Sequence, residues 1–333
     1  MNTELNKISN FSTLHPDVNE CLIEMFGEDF REYRKRWELA EKQLHIFDFP
    51  LFLVIETVNT CNLKCIMCFR HEMPKQKTSV MSMELYERIL SEAFNYNCPS
   101  LSLNWNNEPL LDPYLPERIS MAKKYGFFDI RINTNANLLS PEKAEQLIDA
   151  GLTRLSASID AVTAEAYAKI RIGGDYNKVV SNLTNFLDIR NRKGAKLPLL
   201  RCTFVRIREN EDELAAFIKF WDGKADYSSI QSYIPHTPKE WALELHPNDK
   251  SSMTNVTCSQ PFERLAISVD GKVYPCCSPI GTEILLGNVH DSSLYEIWHR
   301  ETESKLRMMM KHRTWNKFPV CRQCLENTFN IQQ

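Results

Sequence analysis

Six short apolar runs alternate with helical patterns between residues 50 and 235, and this alternation constrains the fold more than any other feature. The runs are LFLVIET, SLSLNW, FFDIRIN, TRLSASI, LPLLRCTFV and YSSIQSY. Several of the helical stretches between them end in glycine, which is a common helix stop. Strands that alternate with helices predict an α/β fold with a parallel sheet and right-handed crossovers. Both an open doubly wound sheet and a barrel, whole or partial, fit this pattern.

A different pattern begins near residue 255. The stretch RLAISVDGKVYPC predicts two strands around Asp270 and Gly271, a strong hairpin signal. A long helical stretch and the sequence CRQC follow. A unit this small has little apolar core and commonly needs metal or disulfide support. The chain is therefore predicted to divide into four parts. These are an N-terminal helical extension (residues 1–49), an α/β region (50–235), a linker (236–254) and a C-terminal unit (255–333).

The chain contains 11 cysteines among its 333 residues. Other features of the sequence indicate which role these cysteines have. A net charge of −3 gives no electrostatic footprint for nucleic acid or anionic lipid. The N-terminus has no signal-peptide pattern, and the longest apolar run is too short to span a membrane. These features predict a cytoplasmic protein, in which an odd number of cysteines argues against a disulfide framework. Clustered thiols there indicate metal or redox chemistry.

Three cysteines, Cys61, Cys65 and Cys68, follow the first predicted strand with CX3CX2C spacing. Three thiolates do not complete a tetrahedral zinc site unless a distant residue supplies the fourth ligand. A four-iron cluster can instead be held at three irons, with the fourth left open to a substrate or cofactor. The remaining alternative is that the cysteines pack as small apolar side chains, but the stretch is polar.

A second set, Cys258, Cys276, Cys321 and Cys324, lies in the C-terminal unit and ends in a CX2C pair. Four thiolates make a closed site that could hold zinc or a fully ligated [4Fe–4S] cluster. Cys277 directly follows Cys276, and adjacent residues on a strand point to opposite faces. Its thiol is therefore expected to point away from the closed site.

The stretch ETVNTCNLKCIMC resembles the signature of the radical S-adenosylmethionine (radical SAM) superfamily. This resemblance implies a partial (β/α)6 TIM-like barrel in which Cys61, Cys65 and Cys68 hold a [4Fe–4S] cluster. The amino and carboxylate groups of S-adenosylmethionine (SAM) would occupy its open iron. The order C…GX4C…CX2C resembles the small C-terminal iron–sulfur domain called SPASM or, in its shorter form, twitch. It implies one auxiliary [4Fe–4S] cluster.

The resemblance extends to the predicted contacts of SAM. In NWNNEPLL, Glu108 matches the glutamate of the Gly-Gly-Glu-Pro motif that binds the methionine amino group, while Asn106 and Asn107 replace the glycines. Met67 stands where the family often has an aromatic residue against the adenine. Ordinary capping by Ser, Asn and Asp is the alternative role for several further candidates. These are Asn133, Asn135, Ser158, Asp160 and Arg171.

The family that this chain resembles includes dehydrogenases of the 2-deoxy-scyllo-inosamine type. The resemblance implies an oxidoreductase that generates a 5′-deoxyadenosyl radical and abstracts a hydrogen atom from a hydroxyl-bearing carbon of a sugar or aminocyclitol. The auxiliary cluster would then accept an electron as the ketone forms. Candidate catalytic residues are Cys277, Cys202, Arg201 and Tyr233. His236 and Arg171 are further candidates near strand ends for the proton transfer.

Three alternatives stay open. A sugar epimerase would use Cys277 or Cys202 as a hydrogen-atom donor, as similar epimerases do. Many SPASM enzymes modify peptides or proteins, and an electron-transfer protein would need no substrate at all. The expected partners are a small-molecule substrate and an electron donor such as flavodoxin or ferredoxin, with neither nucleic acid nor a membrane involved.

Overall fold

The computed structural model describes residues 11–14, 18–71, 73, 77–235, 237, 239–247, 252–253, 256–328 and 330–331. Its helices are α1 Val18–Gln43, α2 Met83–Asn95, α3 Leu115–Lys124, α4 Pro141–Ala150, α5 Ala164–Ile170, α6 Tyr176–Arg192, α7 Leu214–Trp221, α8 Glu240–Glu244, α9 Gln260–Glu263, α10 Leu294–Trp298, α11 Glu301–Lys311 and α12 Pro319–Thr328. Its strands are β1 Phe11–Leu14, β2 Phe52–Ile55, β3 Ser100–Ser102, β4 Asp129–Thr134, β5 Arg154–Ser158, β6 Leu199–Arg206, β7 Tyr227–Ser232, β8 Ser252–Met253, β9 Arg264–Ile267, β10 Lys272–Tyr274, β11 Gly287–Asn288 and β12 Asn330–Ile331.

Strands β2 to β7 are the six strands that the sequence predicts, and they pair in parallel. They belong to a sheet with the order β1-β7-β6-β5-β4-β3-β2-β9-β10-β11. Consecutive strands are neighbours in a single direction, so right-handed crossovers place the helices that connect β2 to β7 on one face. A doubly wound sheet would reverse its strand order near the middle. The strand order therefore decides for the partial barrel, and the predicted α/β class is confirmed.

The two faces of the sheet have different roles. On the outer face, Leu53, Leu101, Leu155 and other apolar side chains pack against the helices in the main core. On the inner face, α1 closes the end of the barrel where the strands begin. Its Tyr33 hydroxyl accepts a hydrogen bond from Arg131 Nη2 at 3.3 Å. The opposite end, where the parallel strands finish, is the usual place for a site in such folds.

The sheet continues into the C-terminal unit. Strand β9 pairs in parallel with β2, so that Phe52 lies beside Arg264 and Ile55 beside Ile267. Strand β10 then returns antiparallel to β9, which confirms the hairpin predicted around Asp270 and Gly271. Gly271 has a φ of +82°, a left-handed conformation that favours glycine.

Several local predictions were wrong or incomplete. Strand β1 pairs antiparallel with β7, although the first 49 residues were predicted to be helical. The long helical stretch after the hairpin is two helices, α10 and α11, because Arg300 adopts an extended conformation between them. The CRQC sequence lies on α12. Among the described residues, no helix combines the length and the hydropathy needed to cross a bilayer.

Candidate active site

The loop that carries the first three cysteines follows β2 and is fixed against the end of α5. Lys64 N donates to Ile172 O at 2.9 Å, and Ile66 N donates to Ile170 O at 3.0 Å. The loop therefore runs beside the segment that leads out of α5 and packs in a small apolar cluster. That cluster contains Leu63, Cys65, Met67, Ile170, Ile207, Tyr233 and Leu245, with Cys61 and Cys68 at its margin.

The pKa values of Cys61 and Cys68 are both raised in this loop. Burial raises the pKa of Cys61 to about 11, and nearby Glu108, Cys65 and Cys68 raise it further. Burial likewise raises the pKa of Cys68. Thiolates in such a place need a cationic group, and a metal cluster supplies one. Among the described residues, no three His, Cys, Asp or Glu side chains converge closely enough for a single metal ion.

Two donors point at these sulfurs. Arg171 Nη1 donates to Cys65 Sγ at 3.5 Å, and Asn135 Nδ2 lies 4.0 Å from Cys61 Sγ. Asn135 also donates to Asn62 Oδ1 at 2.9 Å. Hydrogen bonds to cluster sulfurs are a usual means of setting cluster properties. These contacts therefore fit a sulfur-bound cluster at the loop.

Glu108 is fastened to the same loop. Its backbone N–H donates to Thr60 O at 2.9 Å. Its buried carboxylate accepts hydrogen bonds from the Thr134 hydroxyl, from Asn135 N at 2.8 Å and from Leu110 N at 3.1 Å. Burial raises the pKa of Glu108, and these three hydrogen bonds oppose that rise. The structure thus brings Glu108 and Asn135 together beside the cysteines.

The two asparagines that replace the family's glycines carry polar atoms that need a partner. Asn106 Oδ1 and Asn107 Nδ2 are buried, and neither has a hydrogen-bond partner among the described residues. Arg70 donates to the backbone carbonyl of Asn106 and, at 3.1 Å, to that of Asn59. Buried polar atoms without partners are rare in proteins. Their presence beside Glu108 fits a polar ligand such as SAM.

Asp160 and Arg171 form a buried ion pair at the end of β5. Asp160 has a φ of +64°, and its carboxylate also accepts a hydrogen bond from Val205 N at 2.7 Å. Burial raises the pKa of Asp160, and the Arg171 guanidinium opposes that rise. Because Arg171 also contacts Cys65, this pair links the barrel wall to the cysteine loop.

Sequence reasoning missed the support beneath Arg171. Asn137 Nδ2 donates to the Tyr167 hydroxyl at 2.9 Å, and Asn137 Oδ1 accepts from Asp175 N at 2.8 Å. These bonds hold the ends of the segment that carries Arg171. Asn137 does belong to the predicted INTNANLL motif, but its spacing gave no sign that it would reach Tyr167.

The four residues of the second cysteine set are half-buried in the C-terminal unit. Burial raises the pKa of Cys276 well above its usual value, and Cys258, Cys277 and Cys324 raise it further. Gly281 is needed there, because a Cβ atom at that position would collide with Cys276 Sγ. Buried thiols that disfavour one another's ionisation, with space kept clear around a sulfur, fit a metal cluster.

Family models match both halves of this arrangement. Residues 55–220 match the radical SAM superfamily, and residues 258–325 match SPASM, an iron–sulfur cluster-binding domain. This chain belongs to the radical SAM superfamily. Its radical SAM domain binds SAM and a [4Fe–4S] cluster, and its SPASM domain binds further iron–sulfur clusters.

Named relatives of this radical SAM enzyme differ in activity. A probable GTP 3′,8-cyclase of Methanococcus maripaludis is 27% identical over 54% of this chain and 57% of the cyclase. The chain thus spans less than two thirds of that relative. A tungsten-containing aldehyde ferredoxin oxidoreductase cofactor-modifying protein of Pyrococcus furiosus is 23% identical, over 82% of this chain and 86% of that protein.

Solved structures share the fold. BtrN, crystallised with AdoMet and 2-DOIA, is 17% identical with a TM-score of 0.56, covering 87% of this chain and 98% of BtrN. Streptococcus suis SuiB, bound to its precursor peptide SuiA, is 14% identical with a TM-score of 0.62, covering 90% of this chain and 73% of SuiB. At these identities the likeness shows the fold alone.

The inner wall of the radical SAM barrel is polar along β4 to β6. Arg201 Nε donates to Ser156 Oγ at 2.7 Å, and Arg201 Nη2 donates to Asn133 Oδ1 at 3.4 Å. Ser158 lies two residues beyond Ser156 on the same strand and therefore shares its face. Burial lowers the pKa of Arg201, and the nearby guanidinium groups of other arginines lower it further.

Two other predicted catalytic residues do not reach this wall. Cys202 follows Arg201 on β6 and points to the opposite face, where it is fully buried in the core between sheet and helices. Tyr233 packs with the cysteine loop in the apolar cluster described above. Burial raises the pKa of Tyr233, and Cys68 raises it further. His236 lies outside the described residues.

Cys277 packs on the barrel while staying close enough to Cys276 and Cys324 to raise the pKa of both thiols. It packs against the inner-face cluster of Phe52, Val54 and Ala266. Its thiol donates to Gln260 Oε1 at 3.3 Å, and its carbonyl accepts from Trp105 Nε1 at 2.8 Å. Trp105 immediately precedes Asn106 in the sequence. This hydrogen bond therefore joins the NWNNEPLL segment, which carries the predicted SAM contacts and is called the SAM motif below, to the C-terminal domain.

Proposed function

We propose that this radical SAM enzyme oxidises a hydroxyl-bearing carbon of a sugar or aminocyclitol to a ketone. The observation that carries the proposal is the hydrogen bond from Trp105, next to the predicted SAM contacts at Asn106 and Asn107, to the carbonyl of Cys277, next to Cys276 of the second cysteine set. When bound, SAM and its cluster supply hydrogen-atom abstraction, and the auxiliary cluster supplies a one-electron acceptor.

The chain's own residues provide two ligand sets. Cys61, Cys65 and Cys68 would hold the first cluster and leave one iron for SAM. A closed cysteine set suits an electron acceptor better than a substrate site, because it leaves no open coordination position. The four cysteines of that set are Cys258, Cys276, Cys321 and Cys324.

The polar inner wall supports a hydroxylated substrate. Asn133, Ser158 and Arg201 offer amide, hydroxyl and guanidinium groups, which can hydrogen-bond several hydroxyl groups of a sugar ring. Helix α1 closes the far end of the barrel through Tyr33 and its neighbours. A closed end excludes water, which protects a radical reaction from side chemistry.

Epimerisation of the same class of substrate is the second candidate. Cys277 favours it, because its thiol lies against the inner-face side chains of the barrel and could return a hydrogen atom to a substrate radical. The two reactions differ in outcome, since an epimerase leaves the oxidation state of its substrate unchanged. Cys277→Ala should stop an epimerase and leave a dehydrogenase active.

Product analysis separates these functions. Anaerobically reconstituted protein, with about eight irons for two four-iron clusters, is incubated with SAM, a reductant and candidate substrates in deuterated water. Sugars, aminocyclitols, GTP and short peptides are tested in parallel. A ketone supports the proposal, whereas deuterium gained at one carbon without oxidation identifies an epimerase. A modified peptide or a cyclised nucleotide would refute both.

Variants of the cysteine sets complete the test. Cys258→Ala should preserve most SAM cleavage and stop ketone formation, and Cys202→Ala is the matched control because its thiol lies in the outer core. Zinc in place of iron at the C-terminal site would refute the dehydrogenase proposal. We also propose that a flavodoxin or ferredoxin supplies the electron for SAM cleavage, which replacement of the chemical reductant by either protein tests.

A further inference from the structure

A buried carboxylate to which the sequence motifs assign no role lies at the end of the first barrel strand. Glu56 follows β2, and its N–H continues the strand pairing by donating to Ile267 O at 2.8 Å. Strand alternation places Glu56 on the same face as Phe52 and Val54, which belong to the inner-face cluster. Glu56 is 5% exposed.

The surroundings of Glu56 come from three parts of the chain. The backbone N–H groups of Val269 in the hairpin and of Asn106 lie close enough to its carboxylate to oppose the rise in pKa that burial causes. Arg70 from the cysteine loop attracts its negative charge, and Asp270 repels it. Burial raises the pKa of Tyr274, and the charges of Asp270 and Glu56 raise it further. Glu56 therefore lies where the cysteine loop, the SAM motif and the C-terminal domain meet.

Glu56 is distinguished from the other buried acids by its lack of an assigned role. Five of the seven buried carboxylates among the described residues form ion pairs with basic side chains, and Glu108 accepts three hydrogen bonds beside the cysteine loop. The described ion pairs do not include Glu56. The five paired acids are Asp112, Asp129, Asp160, Glu263 and Glu303.

We propose that Glu56 is the catalytic proton acceptor for the substrate hydroxyl group. This assignment rests on the proposed oxidation of an alcohol. The substrate carbon gives up its hydrogen atom to the radical derived from SAM, and the hydroxyl oxygen transfers its proton to the Glu56 carboxylate. One electron then leaves for the auxiliary iron–sulfur cluster, and the C–O single bond becomes C=O. Two electrons and two protons have left the alcohol, so the step balances.

The electrostatics of Glu56 suit this role. Burial raises the pKa of Glu56 to about 7, while the two backbone N–H groups and Arg70 limit the rise. A general base works best when its pKa lies near the working pH, and such bases contribute about 10²–10⁴-fold to a rate. Asp160, by contrast, is neutralised by Arg171 and cannot leave that pair without exposing a buried charge.

The test compares Glu56→Gln with wild type. The first substrate tried is 2-deoxy-scyllo-inosamine, followed by the other sugars and aminocyclitols, with deuterium on the oxidised carbon. We expect ketone formation to fall by about 100-fold or more, while deuterium transfer into 5′-deoxyadenosine stays nearly unchanged. An organic radical should accumulate in the electron paramagnetic resonance spectrum. The control is Glu213→Gln. The Glu213 carboxylate accepts a hydrogen bond from the backbone N–H of Val162 at 2.7 Å, and Val162 lies on the loop after β5, away from Glu56 in the sheet.

The dependence on pH gives a second readout. In wild type, ketone formation should decline as the pH falls below about 7, and Glu56→Gln should lose this limb of the profile. If Glu56→Gln does not fold, Glu56→Asp retains a carboxylate and should shift the limb. Unchanged ketone formation and pH profile in the folded variant would overturn the assignment and leave the proposed function intact. A wild-type enzyme that forms no ketone would refute the proposed function itself, and the assignment with it.

Discussion

Replacing Glu108 by glutamine should destabilise the protein and weaken SAM binding. The reason is that every group that contacts the Glu108 carboxylate is a hydrogen-bond donor. Oε2 accepts from Asn135 N, and Oε1 accepts from Leu110 N and the Thr134 hydroxyl. The Thr134 oxygen already accepts from Ala136 N at 3.0 Å. A glutamine amide group would face at least one N–H in either orientation. Each orientation therefore leaves a buried donor without an acceptor.

The size of the effect follows from these contacts. A buried donor without a partner costs about 1–3 kcal/mol, and a hydrogen bond to a charged group contributes about 1.5–3 kcal/mol. We therefore expect a loss of about 2–4 kcal/mol. Unfolding entropy of about 2.1 cal/mol/K per residue over 333 residues converts this loss into a fall in melting temperature of about 3–6 °C.

The measurement is anaerobic thermal unfolding of wild type, Glu108→Gln and the control Glu117→Gln, whose side chain is exposed on α3. Calorimetric titration with SAM should show an affinity lower by about tenfold or more, since 1.4 kcal/mol corresponds to a factor of ten. A Glu108→Gln variant that melts with the control and binds SAM as tightly as wild type would refute the reasoning.

Three further predictions test other contacts. Gly281→Ala should roughly halve the iron content of the reconstituted protein, from about eight to about four atoms, because the added Cβ would collide with Cys276 Sγ. Iron analysis measures this content, and a variant with full iron content would contradict the prediction. Cys202→Ala should cost about 1 kcal/mol of core packing without changing turnover, which melting and product assays compare. Folding raises the pKa of Glu56 from 4.5 to about 7. The protonated Glu56 therefore contributes fully to the stability of the folded protein below pH 4.5, and this contribution is lost as the pH rises to about 7. The free energy of unfolding should fall by at most about 3 kcal/mol over this range. The Glu56→Gln variant should not show this loss of stability. Melting temperatures of the two proteins that change in parallel from pH 5 to 8 would contradict the raised pKa of Glu56.

Strand and helix positions could be read from the sequence because each run has a clear period. Six parallel strands and the hairpin at Gly271 were predicted and are present. The pattern of strands and helices alone left the choice between a barrel and an open sheet undecided, because that choice depends on which strands are neighbours; the resemblance to the radical SAM superfamily predicted the partial barrel. The break before Arg300 was also missed, since a one-residue change of backbone conformation leaves the apolar spacing on both sides intact.

The site was predictable where a motif carried it and less so elsewhere. Strand alternation alone allows only one of Arg201 and Cys202 to face the barrel, and that signal was available in the sequence. Glu56 was not predictable, because a carboxylate after a strand usually caps or lies in solvent. Its electrostatic environment includes Val269 and Asn106, which approach it from distant parts of the chain.

The pairing of β2 with β9 has a consequence for how this protein can be divided. Because β9 occupies one side of β2 and β3 the other, the strand before the cysteine loop is interior to the sheet. A chain cut near residue 255 would convert β2 into an open edge with unpaired N–H and C=O groups, a template for aggregation. The segments that carry the two cysteine sets are thus joined by one continuous sheet, and a barrel shortened to its SAM-binding half would be expected to precipitate.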